Sequence, residues 1–177
     1  MSIIEQFHIC TMLFRHFCEI LLKILHLFTP RNDMSAIGDR VDSLVEQFEK
    51  FSNWEDKYKA IIGLGKELEA LPEEYRLEEN KVKGCQSQVW LYGELKDGKV
   101  YFHADSDAAI VKGIIALLLK VYSNATPDEI LVTKPDFLET IGLRQHLSMS
   151  RANGLSSMVK QISVYALAFK TKLSMGL

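Results

Sequence analysis

Gln88-Val89-Trp90-Leu91-Tyr92-Gly93-Glu94-Leu95-Lys96-Asp97-Gly98-Lys99-Val100-Tyr101-Phe102-His103 is the stretch that decides the fold. Residues 88–95 and 99–103 read as two strands, and Asp97-Gly98 between them is a strong hairpin signal because both residue types accept positive φ. Val89, Leu91 and Leu95 fall on one face and Trp90 and Tyr92 on the other, so both faces need cover. Neither aromatic needs a ligand to explain it.

The cover comes from helices on either side. Ile37, Val41, Leu44, Val45 and Phe48 form an apolar stripe at helical spacing, ended by Ser52-Asn53. A second helix is predicted from Trp54 to about Leu71. Ser52 or Asn53 caps it, Glu55 and Asp56 complement the dipole, and Pro72 closes it. Two such helices cannot bury their faces alone and must lie on the sheet.

Downstream, Ala108 to Tyr122 is apolar nearly all round and reads as the central buried helix, with Ser106 or Asp107 as N-cap and Asp105 beside its positive end. Thr126-Pro127-Asp128-Glu129 starts a short helix, Phe137 to Ile141 makes another ended by Gly142, Arg144 to Arg151 reads as loop, and Leu155 to Phe169 marks a long terminal helix. The expected class is α+β: a small antiparallel sheet, the 88–95/99–103 hairpin with a third strand allowed for, covered by several helices.

Immediately before the hairpin stands Lys83-Gly84-Cys85-Gln86-Ser87, reached through a charged segment, 73–83, without apolar periodicity. A lone cysteine is commonly a small buried hydrophobe. Here an exposed approach, a glycine able to turn the chain and a strand that anchors the far side favour a presented thiol, Cys85. Lys81 and Lys83 would lower its pKa if it were exposed, and burial would raise it.

A chain of 177 residues with 47% hydrophobic residues and a net charge of -2 has room for one core and offers no basic block for nucleic acid or an anionic membrane. Cys10, Cys18 and Cys85 are too few for a disulfide framework and lack zinc spacing, which fits a reducing, cytoplasmic setting. From Met1 to Thr29, Ile3, Phe7, Cys10, Phe14, Phe17, Leu21, Ile24 and Phe28 set out an amphipathic helix. Glu5, Arg15, Glu19 and Lys23 make it a poor membrane span, and no basic segment precedes it as in a secretory signal. It reads as an added helix, an interfacial helix, or a stretch translated from a start placed upstream of Met34, so residues 1–33 are set apart from a single domain at 34–177.

The residues resemble the SufE-like sulfur acceptors that partner pyridoxal-phosphate cysteine desulfurases in iron-sulfur cluster assembly. The resemblance is carried by Asn53-Trp54-Glu55-Asp56-Lys57-Tyr58, Gly84-Cys85-Gln86-Ser87-Gln88-Val89-Trp90, 105–113, Gln145-His146-Leu147, Ser150-Arg151 and Gly154-Leu155, and it covers most of the chain after Met34. It implies a SufE/NifU-like fold and a Cys85 that accepts sulfane sulfur from a SufS-like desulfurase and passes it to a SufBCD-like scaffold. It also implies no bound cofactor of its own, the pyridoxal phosphate belonging to the partner. Gly84, Gln86, Asp105, Arg151 and His146 match positions of the loop and of partner docking. Read locally, Asp105 is equally a helix-dipole partner and Arg151 a rim salt bridge. Two departures, Met149 for a proline and Ala104 for a glycine, bear on loop shape. The oligomeric expectation is monomer or homodimer.

Two other classes compete. A metal-holding cluster scaffold needs several converging thiolates, and the domain offers Cys85. A cysteine hydrolase would use Cys85 with His103 or His146 as base, and no oxyanion-hole motif is visible.

Overall fold

The computed structural model describes residues 36–176; the readings on residues 1–33 lie outside them. Strand β1 (Val89–Lys96) pairs antiparallel with β2 (Lys99–Ser106) in unbroken register from Val89↔Ser106 to Lys96↔Lys99. Asp97 and Gly98 both take positive φ, 51° and 75°, as the two-residue turn requires. The second strand runs past His103 to Ser106. No third strand joins among the described residues; isolated bridges, Lys81↔Trp90 and Val100↔Ala125, extend the pairing on each side instead.

Among the described residues six α-helices surround the hairpin: α1 (Ala36–Glu49), α2 (Trp54–Glu67), α3 (Ala109–Tyr122), α4 (Pro127–Val132), α5 (Phe137–Thr140) and α6 (Met149–Ser174). Nine of the fourteen residues of α3 are buried, which makes it the centre of the core. The inner face of the hairpin, Val89, Leu91, Val100, Phe102 and Ala104, shares that core with Ile37 and Phe48 of α1, Ile61 of α2 and Leu155, Met158 and Ile162 of α6. Helices α2 and α3 cross with their backbones in contact at Gly65 and Gly113. A Cβ on Gly113 would stand 2.2 Å from the Ile61 carbonyl oxygen.

The caps and ends differ in part from expectation. Asn53 caps α2 by accepting from the Asp56 amide at 2.9 Å. The helix stops at Glu67, before Leu71, because the chain turns extended at Leu68 and carries Leu71 into the core. Thr126 and Glu129 close a full capping box on α4, and Gly142 ends the α5 turn at φ 81°.

Neither Ser106 nor Asp107 caps α3. The N-cap position is Ala108, without a side-chain bond, and both polar side chains are engaged elsewhere: Ser106 accepts from the Ala108 amide at 3.3 Å and Asp107 from the Gln88 amide at 3.0 Å. The terminal helix begins at Met149, inside the stretch expected as loop, after one 3-10 turn at Arg144–His146. Residues 73–83 are more ordered than a bare connection, with 3-10 turns at Glu73–Tyr75 and Glu78–Asn80 and Val82 in the core. No helix of the described residues is long and apolar enough to cross a membrane.

Candidate functional site

Cys85 sits at the tip of a short loop whose base is closed by the sheet. Val82 donates to the Val89 carbonyl at 2.9 Å and Asp107 to the Gln88 carbonyl at 3.3 Å, so both ends of the loop continue the ladder. Gly84 takes φ 88°, where an L side chain is strained, and a Cβ there would stand 2.9 Å from Ser157 Oγ. The glycine therefore turns the chain and lets it lie against α6.

The thiol points inward. Its Sγ lies 3.7 Å from the Gly154 carbonyl oxygen, and a Cβ on Gly154 would stand 3.3 Å from that sulfur. Cys85 is half-buried and borders a cavity of about 320 Å³ with an apolar floor of Val111, Ile114 and Met158 and a polar rim of Gln86, Ser87, Ser150 and Arg151. Ser150 donates to Gln86 Oε1 at 3.1 Å, which joins the loop to the first turn of α6.

Burial pushes the Cys85 thiol up from its ordinary value of 9.0, and the two lysines named from the sequence do not counter it. Lys81 pairs with Glu78 at 3.0 Å and lies 5.9 Å from the Trp90 ring centre, and Lys83 is exposed. The resting thiol is thus mostly protonated at neutral pH, and only the thiolate attacks. Alkylation of Cys85 in the folded protein by iodoacetamide, followed by peptide mass mapping, is expected to keep rising with pH through 9.0. In the unfolded chain the rate should level near that ordinary value. A plateau at lower pH in the folded protein would contradict the buried thiol.

Asp105 is buried at 4% exposure. It receives Arg76 Nη2 at 2.5 Å, Lys112 Nζ at 2.9 Å and the Ser106 amide at 2.8 Å. Burial alone would raise its carboxyl. The Lys112 and Ser106 hydrogen bonds and the charges of Lys112 and Arg76 outweigh burial and hold it below the usual range. Arg76 also lies 5.3 Å from the Trp90 ring centre, so the cluster clamps the segment leading to Cys85 onto the hairpin and α3. Sequence reasoning missed Arg76, which lies in a charged run without periodicity, and Lys112, whose place one turn into α3 was the only local signal.

The other sequence candidates separate. Gly84, Gln86 and Arg151 gather at Cys85; Asp105 braces the loop from behind. Arg151 is exposed on the cavity rim and makes no ion pair among the described residues, so the rim salt bridge expected for it is absent there. His146 stacks on Trp54 with ring centres 4.0 Å apart, and its Nδ1 donates to the Gly142 carbonyl at 2.9 Å. His103 lies 3.2 Å from Glu94. Neither histidine lines the Cys85 cavity, so nothing in this arrangement favours a Cys-His hydrolase. Among the described residues no group of three or more His, Cys, Asp or Glu side chains is placed to hold a metal ion.

Comparison with known proteins gives this arrangement its family. The SufE model, described as an Fe-S metabolism associated domain, matches residues 42–166. An uncharacterised SufE-like protein of Synechocystis is 41% identical over 142 residues, 80% of this chain and 89% of that protein. Another from Rhizobium meliloti is 42% identical over 127 residues, 69% of this chain and 91% of that one. The solution structure of a hypothetical protein from Thermus thermophilus superposes with a TM-score of 0.64 at 20% identity, covering 75% of this chain and 96% of that one, and shares the fold. With the Cys85 loop, the hairpin and α3 all inside the matched span, the chain belongs to the SufE family and is associated with iron-sulfur metabolism.

Proposed function

We propose that this protein is a sulfur acceptor and activator of a cysteine desulfurase, and that Cys85 is the accepting residue. The observation that carries this reading is a single thiol at the tip of a tethered loop, turned into a cavity whose floor is apolar and whose rim is polar. In the reaction the Cys85 thiolate attacks the outer sulfur of a cysteine persulfide on the desulfurase. A new S–S bond forms on Cys85 as the old one breaks, the desulfurase cysteine leaves as thiolate, and no net oxidant is needed.

The partner is a SufS-like enzyme that carries the pyridoxal phosphate; this chain needs no cofactor of its own for the transfer. The sulfur then passes to an iron-sulfur scaffold of the SufBCD kind, in the cytoplasm, where thiols stay reduced. To meet another protein's sulfur the loop must leave the cavity. Leaving it removes the burial that raises the thiol, so docking also increases the thiolate fraction. Gly84 supplies the turn, Gln86 and Ser150 form the contact that must part, and Arg151 stands free on the rim for the partner.

The test mixes the protein with a cognate desulfurase, pyridoxal phosphate and cysteine, then reads intact mass and alanine release. Wild type is expected to gain the mass of one sulfur and to speed alanine release, and Cys85→Ser to do neither. A mass gain that persists in Cys85→Ser, or its absence in wild type, sinks the proposal.

A further inference from the structure

The Cys85 cavity is open to small molecules while the loop stays in place. Gln86, Ser150 and Arg151 on its rim are exposed, and Cys85 itself forms part of its wall. Its volume, about 320 Å³, lies at the small end of the range for ligand pockets. A protein donor must wait for the loop to leave; a donor of a few heavy atoms need not.

The chemistry of the wall changes from rim to floor. Among the described residues that line the cavity, Arg151 carries the charge, no carboxylate accompanies it, and it makes no ion pair. The hydroxyl of Ser87, a half-buried residue, has no hydrogen-bond partner among the described residues. Ser150 and Arg151 also open α6, and no side chain caps that helix. The positive end of a 26-residue helix therefore stands at the same rim as the free guanidinium. Below the rim Val111, Ile114 and Met158 are 7%, 1% and 4% exposed and present an apolar floor. Burial accounts for the shift of the Cys85 thiol, so the guanidinium stands too far off to act on the sulfur and is left for the other end of a ligand.

We infer that this cavity takes a small aliphatic persulfide that carries a carboxylate, with the carboxylate at the Arg151 rim, the methylenes on the floor and the outer sulfur at Cys85. Cys85 is then charged with sulfur without a protein donor. The inference rests on the reading of Cys85 as a sulfur acceptor and adds a class of donor to it. The Cys85 thiolate attacks the outer sulfur, and an S–S bond to Cys85 forms as the S–S bond of the donor breaks. The transferred sulfur keeps its proton, the rest of the donor leaves as a thiolate, and there is no net oxidation. A neutral donor gives Arg151 no partner, and a cationic one is repelled by it and by the helix end.

The experiment uses the full chain with no desulfurase present. Persulfides of 3-mercaptopropionate, 2-mercaptoethanol and cysteamine share one spacer and end in a carboxylate, a hydroxyl and an ammonium. Each is mixed with the protein over a concentration series, and the gain of one sulfur is followed by intact mass. The carboxylate donor is expected to saturate and, at low concentration, to react about tenfold faster than the hydroxyl donor, with the ammonium donor slowest. Taking each rate relative to the hydroxyl donor in the same variant cancels any change in the loop. That ratio should fall to about one in Arg151→Gln and invert in Arg151→Glu. A wild-type ratio near one, a ratio that Arg151→Gln leaves intact, or a rate linear in the carboxylate donor overturns the inference. Gain from these donors with none from a desulfurase upholds it and sinks the protein-donor reading; the reverse sinks this inference alone. A gain that persists in Cys85→Ser sinks both.

Discussion

Gly113→Ala is expected to lower stability by about 3 kcal/mol, because the added methyl meets backbone rather than a side chain that could yield. The nearest atoms are the Ile61 carbonyl oxygen at 2.2 Å and its carbon at 2.7 Å, so α2 and α3 must move apart to admit it. Alanine is the better helix former by about 1 kcal/mol, and the clash must exceed that gain. Gly63→Ala is the internal control. Nothing lies within 4 Å of its missing Cβ, so the same chemical change on α2 should stabilise by up to about 1 kcal/mol. Urea denaturation decides: a Gly113→Ala midpoint at or above wild type would show that the crossing is not tight. The effect should reach the site, since Val111 and Ile114, which floor the Cys85 cavity, flank Gly113 on α3.

Asp105→Asn is expected to cost about 3 kcal/mol at neutral pH, the low end for removing one member of a buried ionic cluster. The low end is chosen because Arg76 and Lys112 keep side-chain exposures of 28% and 26% and can recover some hydration. The pH dependence has a definite sign. Asp105 titrates below its unfolded value, so its stabilisation is complete above the unfolded pKa, about 3.9, and is lost as pH falls through the folded one. The wild-type advantage over Asp105→Asn should therefore be constant from neutral pH down to about 4 and shrink below it. A difference under about 1 kcal/mol, or one that persists unchanged in acid, would show that the cluster does not brace the fold. Because Arg76 belongs to the segment that delivers Cys85, the same variant should also raise amide exchange over residues 76–85 more than over α3.

The reading of Asp105 shows where local inference stops. Its position before an apolar helix made it look like a dipole partner, and Ser106 and Asp107 looked like caps. In the fold the two aspartates are recruited by groups distant in sequence, Asp105 by Arg76 29 residues away and Asp107 by Gln88 19 residues away, while Ser106 accepts from the Ala108 amide two residues on. A buried carboxylate goes to the strongest cations the packing brings near, and no window of sequence contains that choice. Arg151 and His146 make the same point in opposite directions. One is left unpaired on the rim of the cavity; the other is held by Trp54 and the Gly142 carbonyl away from it.

The amino-acid sequence by itself determined the hairpin with its Asp97-Gly98 turn, the central apolar helix, the capped start of α4 and the candidacy of Cys85. Alternation, helical periodicity, positive-φ residues and capping oxygens are short-range signals, complete within a few residues. Only the tertiary structure decided that the thiol rests half-buried against Gly154 with its pKa raised, that Arg76 and Lys112 share Asp105, and that Arg151 shares a cavity with the thiol. Those properties depend on desolvation and on which distant groups the packing brings together, and burial is a property of the assembled chain.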